Sequence, residues 1–100
     1  MRFENQELKT TFELPDRLTP REALRYSGIS DFGVDLSMYE RLWPAACVLI
    51  KDWKSDIVPQ AVPEVLDLAG DYPVEYIDVI KWASLAVFSY VRQLQSTPKN

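Results

Sequence analysis

A long uncharged segment near the carboxyl end most constrains the fold of this chain. The segment "VIKWASLAVFSYVRQL" spans residues 79–94, and the ten residues between Lys81 and Arg92 carry no charge. A helix needs about 20 predominantly apolar residues to cross a bilayer. The segment is therefore too short for a membrane anchor. Its helical periodicity, extended over Pro73 to Gln95, predicts the longest helix of a globular protein that does not bind membranes.

The positions of the apolar residues around this helix leave two explanations open. On a helical wheel most of them share one face, but two apolar residues, Leu85 and Phe88, lie on the opposite, polar side. In the first explanation these two are covered by another helix or by an N-terminal arm, since small domains rarely leave large apolar patches bare. In the second, they belong to a docking stripe for a partner, because anchors at such spacings mediate helix recognition. The docking stripe consists of Lys81, Trp82, Leu85, Phe88 and Arg92.

Capping signals predict a short helix earlier in the chain. Thr19 suits an N-cap, Pro20 the first helical position, and Glu22 completes a capping box with Thr19. Gly28 is a typical helix stop. We expect a helix from about Pro20 to Ser27.

A second capping box, Ser37 with Glu40, begins an amphipathic segment that we predict to be helical through Trp53. Pro44 interrupts it, because proline in a helix removes a hydrogen bond and clashes with the preceding turn. Either the helix kinks at this residue, or a first turn ends at Trp43 and the main helix starts at Pro44.

The amino-terminal region predicts little regular structure. The stretch "KTTFELP" indicates one short strand or an extended arm, and a lone strand must pair with something, such as another subunit. A further helical turn is expected in "PEVLDLAG". We therefore predict an all-α fold of three to four helices in one domain (residues 19–97). An extended N-terminal arm or short strand (residues 1–18) precedes it and a frayed tail (residues 98–100) follows.

Residue types argue against catalysis. The chain has no histidine, which is the usual general base and the commonest metal ligand. Its single cysteine, Cys47, lies on a hydrophobic helix without a base nearby in sequence, which is typical of a buried, inert thiol. Three glycines form no phosphate-binding loop. We predict no enzyme and assign no catalytic, cofactor-binding or metal-binding residue.

The charge distribution also limits the partners. The net charge is −4 without any basic run, so we expect no nucleic-acid binding. Residues 52–78 form an acidic connector, with seven acids against Lys54 alone. Such a run is usually a solvated connection between helices. The alternative is a face that mimics nucleic acid, although Pro59, Pro63, Gly70 and Pro73 interrupt the connector.

The order of three segments resembles small tail assembly chaperones of long-tailed bacteriophages. The segments are "FELPDRLTPREALRY", "YERLWPAACVLIKDW" and "VIKWASLAVFSYV". In such chaperones an arm ending in Leu-Pro leads to a short helix, a Glu-Arg-Leu-Trp helix, an acidic connector and a hydrophobic last helix. The parts of this chain that correspond to this family pattern are Glu40 to Trp43, Trp53, and the helix that contains Leu85 and Phe88. The resemblance implies partner contact only for that last helix.

The resemblance implies a helical, non-enzymatic protein that binds the tape measure protein, keeps it soluble and helps recruit the tail tube protein. Self-association into a homo-oligomer is a further expectation. The single cysteine and the charged start "MRFENQELK" fit a cytoplasmic protein, in the host cytoplasm if it is phage-encoded. The alternative function is a small acidic inhibitor of a host enzyme, whose binding would weaken steeply with salt.

Overall fold

The structure, a computed structural model, describes residues 1–26, 36–68 and 74–96. The helices and strands in chain order are β1 (Arg2–Asn5), β2 (Thr10–Glu13), α1 (Pro20–Tyr26), α2 (Leu36–Leu49), β3 (Lys51–Ser55), α3 (Glu64–Leu68) and α4 (Val74–Ser96). The predicted helix stop at Gly28 and the frayed tail at 98–100 lie outside the described residues.

A three-stranded antiparallel sheet makes the fold mixed α/β, so the all-α prediction was wrong. The strand order is β1-β2-β3. The residues predicted as an arm form a hairpin, in which Phe3 lies opposite Phe12 and Asn5 opposite Thr10. Lys9 closes the loop with a φ of 51°. The strand seen in the sequence thus pairs within its own chain, with β1 on one side and β3 on the other.

The helix predicted to continue through Trp53 ends at Leu49, and β3 follows after one residue. The pairing of β2 with β3 is irregular between Thr11 and Glu13, where β3 carries one residue more than β2. This is a β-bulge. Asp52 within it has a φ of 52°, a left-handed conformation that aspartate tolerates better than most residues.

The predicted capping box at the start of α1 is confirmed. The Glu22 carboxylate accepts a hydrogen bond from the Thr19 backbone N–H at 2.9 Å, and the Thr19 hydroxyl accepts one from the Glu22 N–H at 3.2 Å. The helix α2 continues through Pro44 and does not end at Trp43. The Ser37 side chain, proposed for a second capping box, lies outside the described residues. The predicted helices α3 and α4 are confirmed within one or two residues at each end, except that the predicted end of α3 at Gly70 lies outside the described residues.

One face of the sheet packs on the helices through an aromatic cluster centred on Phe12. Its ring stacks on Phe3 at 5.2 Å and on Trp53 at 5.9 Å between centroids, and meets Trp82 of α4 edge-to-face at 5.3 Å. Phe12 is buried and shares a single hydrophobic core with residues of α1, α2 and α4. The first strands are therefore an integral part of the core.

The other face of the sheet is polar, and its charges alternate in sign across the strands. The register aligns two rows, Arg2–Glu13–Lys51 and Glu4–Thr11–Lys54. Opposite charges at directly facing positions stabilise an antiparallel pair modestly. This face is suited to water, so the apolar packing of the sheet is all on its inner side.

Candidate functional site

The docking stripe predicted on α4 is only partly accessible. Lys81 and Arg92 are exposed, Trp82 and Leu85 are partly buried, and Phe88 is 5% exposed. Phe88 is therefore a core residue in this fold. The stripe places its two cations at the surface and most of its apolar area inside.

Neighbouring elements cover the two aromatic rings of the stripe. Tyr26 at the end of α1 stacks on Phe88 with centroids 6.4 Å apart, and the guanidinium carbon of Arg92 lies 5.7 Å from the centre of the Phe88 ring. Phe12 of the sheet covers Trp82. For Phe88, the contact with Tyr26 of α1 is the covering expected in the first of the two explanations. Leu85 and Trp82 remain partly open, and partner contact along the docking stripe stays a prediction.

The polar side of α4 also contains a buried hydroxyl. Ser84, which a helical wheel places on the same polar side as Lys81 and Arg92, is 0% exposed, and its Oγ has no hydrogen-bond partner within the described residues. A buried hydroxyl without a partner costs free energy. The buried arc of α4 is therefore wider than the apolar face seen in the sequence.

A concave surface lies where α1 and the loop before it meet the carboxyl-terminal part of α4. This α1–α4 pocket is open, has a volume of about 360 Å³, and is lined by Asp16, Arg17, Leu18, Ala23 and Leu94. Its lining combines three apolar residues with one acid and one base. This volume is at the low end of the range for small-molecule sites, which are roughly 300–1,000 Å³.

Few large apolar side chains are strongly exposed within the described residues. Leu24 of α1, next to the pocket residue Ala23, is 71% exposed, and Val48 of α2 is 48% exposed. An exposed leucine alone is ordinary. Leu24 directly follows the pocket-lining residue Ala23 in α1, and the α1–α4 region is therefore the main candidate surface for a partner.

The local structure explains how the pocket arises. Pro15 accepts a hydrogen bond from the Tyr90 hydroxyl at 3.0 Å, which ties the loop after β2 to α4. The Thr19 capping box then starts α1 at once, and Tyr26 anchors its other end on Phe88. The short helix is held at both ends and leaves a concavity beside Leu94.

The only cysteine of the chain is unsuited to nucleophilic chemistry. Burial, together with the nearby carboxylate of Glu64, raises the pKa of the Cys47 thiol from its usual 9.0 to about 12. The thiol is therefore protonated at neutral pH, whereas the thiolate is the reactive form. In the described part of the chain, no three histidine, cysteine or acidic residues lie together as metal ligands.

The acids of the connector are distributed over several elements. Asp52 lies on β3, Glu64 on α3, and Glu75 and Asp78 on α4, and all four are exposed. Asp71 lies outside the described residues. Among the helices that the structure describes, none combines the length and the apolar character needed to cross a membrane.

Sequence reasoning missed the pocket, although part of its signal was present. The capping box at Thr19 placed a helix start directly after Leu18, and Leu94 lay on the apolar wheel face. What the sequence did not show is that α1 crosses α4 at this point, because that contact depends on Tyr26 and Phe88 meeting in space. Comparisons with protein-family models, curated proteins and solved structures gave no match to this chain.

Proposed function

We propose that this protein is a non-catalytic tail assembly chaperone of a long-tailed phage. It binds the tape measure protein in the host cytoplasm, keeps it soluble and helps recruit tail tube subunits. The observation that supports this role most directly is the open α1–α4 pocket, together with the exposed Leu24 that follows the pocket residue Ala23 in α1. A chaperone of this kind needs apolar binding surface on a charged body, and no reactive group.

The pocket suits an amphipathic helix of the client. Its volume of about 360 Å³ accommodates an apolar side chain or two, which is how helix-in-groove recognition anchors a partner. Leu24 adds apolar area on α1, and Asp16 and Arg17 offer one charge of each sign to the polar side of the client helix. Several copies of a small chaperone along one extended client would gain affinity through multivalency.

The test is co-expression with the tape measure protein of the encoding phage, followed by measurement of the client in the supernatant. Wild-type chaperone is expected to hold the client in solution. Leu24→Ser removes apolar contact area, and Ala23→Gln fills the pocket with a helix-compatible polar side chain. Each is expected to weaken binding by tenfold or more, roughly the contribution of one buried leucine.

Val48→Ser is the matched control, because Val48 is an exposed apolar residue on a different helix. It should leave client binding unchanged. Leu85→Ser in the same assay tests a partly open member of the docking stripe. The proposal fails if wild-type protein does not retain the client, or if Leu24→Ser and Ala23→Gln bind it as well as wild type does.

Salt separates this function from the acidic-inhibitor alternative. Apolar binding at the pocket should persist between about 0.15 and 0.5 M salt, since screening acts on charges. Loss of client binding over that range would assign the interaction to the acidic residues and reject the pocket as its main source.

A further inference from the structure

The strand β1 is an edge strand, and the register shows which of its backbone groups face outward. Met1 and Leu14 exchange both backbone hydrogen bonds, at 2.7 and 2.8 Å. In an antiparallel pair such hydrogen-bonded positions alternate with positions whose N–H and C=O groups point away from the partner. Phe3 therefore bonds to β2, whereas Arg2 and Glu4 direct their backbone groups to the free edge.

Those outward groups have no partner within residues 1–26, 36–68 and 74–96. The backbone hydrogen bonds of the strand run to β2 alone, and the sheet has no strand beyond β1. Edge strands in this state are templates for pairing with another chain. The side chains of Arg2 and Glu4 carry opposite charges, so this edge selects partner strands by the order of their charges.

We propose that β1 pairs antiparallel with β1 of a second copy of this chain, about a twofold axis through Phe3, to form one continuous six-stranded sheet. In this register Arg2 lies opposite Glu4 of the second copy, and Glu4 lies opposite Arg2. Every outward-facing N–H and C=O of these residues then has a partner. Each side-chain pair across the axis joins opposite charges on the polar face of the sheet.

The inner face of the edge fits the same register. Phe3 is partly buried and stacks on Phe12. Across the axis it meets Phe3 of the second copy, which extends the aromatic row from one core to the other. Met1, which is 60% exposed, lies opposite Asn5 of the second copy and loses exposed area on the same side. Both faces of the edge are therefore self-complementary.

The charge order selects a second copy of this chain over an unrelated strand. The twofold axis through Phe3 places Arg2 opposite Glu4 and Glu4 opposite Arg2, so both charges are paired. Only an antiparallel partner strand with the same order of charges gives this symmetric pairing. A strand pair alone buries less area than a standard interface, so the dimer should dissociate in the roughly micromolar to millimolar range. The inference concerns self-association and does not depend on the client-binding role.

The test is a charge swap followed by sedimentation velocity over a concentration series. Arg2→Glu gives two acids, and Glu4→Arg two bases, at the paired positions of a homodimer. Each variant alone should dimerise roughly 10- to 100-fold more weakly than wild type, because both facing pairs become like-charged. An equimolar mixture of the two variants should dimerise about as tightly as wild type, since every pair is then opposite in charge.

Glu4→Pro tests the backbone contribution. It removes an N–H that faces the free edge and leaves the β1–β2 hydrogen bonds in place. It should weaken the dimer while far-UV circular dichroism stays unchanged. Lys54→Glu on the opposite edge strand is the control, and it should leave the dimer as it is.

Three results would overturn the proposal. The first is wild-type protein that remains monomeric at millimolar concentration. This result includes the case in which β1 pairs only with a strand of another protein. The second is a dimer that persists in Glu4→Arg and Glu4→Pro. The third is a mixture of the two charge variants that associates no better than either variant alone.

Discussion

Replacing Ser84 with alanine should stabilise the protein. The Ser84 side chain is fully buried, and its Oγ has no hydrogen-bond partner among the described residues. Removing such a hydroxyl recovers about 1–2 kcal/mol of desolvation cost, and the higher helix propensity of alanine adds about 0.5 kcal/mol. For a domain of this size a total gain of about 1.5–2.5 kcal/mol corresponds to a rise in Tm of about 6–20 °C. Urea and thermal unfolding followed by tryptophan fluorescence measure it.

Ser89 provides the matched control, because it is exposed on the same helix five residues later. Ser89→Ala gains only the helix-propensity contribution of about 0.5 kcal/mol. The difference between the two variants isolates the cost of the buried hydroxyl. Equal stabilisation by both, or destabilisation by Ser84→Ala, would show that the Ser84 hydroxyl forms a hydrogen bond in solution and would refute the reasoning.

Two further predictions concern groups buried around α2. Because the pKa of the Cys47 thiol is raised to about 12, native protein should react with a disulfide reagent at pH 8 at least about 100-fold more slowly than urea-unfolded protein. The thiol of the unfolded protein releases its proton near pH 9, and that of the native protein near pH 12. The free energy of unfolding should therefore fall as the pH rises from about 9 to about 12, and this fall should be smaller in Cys47→Ala. Trp43→Phe removes an indole N–H that donates to the Val62 carbonyl oxygen at 2.9 Å, and it should cost about 2–4 kcal/mol in urea unfolding. A loss below about 1 kcal/mol would contradict that role.

Local signals predicted the helices well and the sheet badly. The capping box at Thr19 and the long periodic segment of α4 carry their information within a few turns, and both were confirmed. The strand β1 has only one large apolar residue, Phe3, and its stability comes from Phe12 and Tyr90 across space. Strand propensity depends largely on such packing, so four residues in isolation gave little indication of a strand.

The end of α2 shows a second limit. Over five residues the sequence "KDWKS" fits a helical face and an alternating strand equally, because Trp53 is apolar in both patterns. Pairing with β2 decides between them, together with the bulge at Asp52. The same difficulty affected the candidate site, since a helical wheel cannot show that Tyr26 of another helix covers Phe88.

The irregularity of β3 bears on how far copies of this protein can join. The bulge in β3 adds one residue, and Asp52 within it has a left-handed backbone. The bulge interrupts the regular row of backbone donors and acceptors that another strand would need for pairing, and Lys51 and Lys54 add positive charge there. Growth from that margin of the sheet is thereby blocked. If copies meet through their β1 strands, both protected margins end up outermost, and assembly terminates at a pair without propagating into a filament.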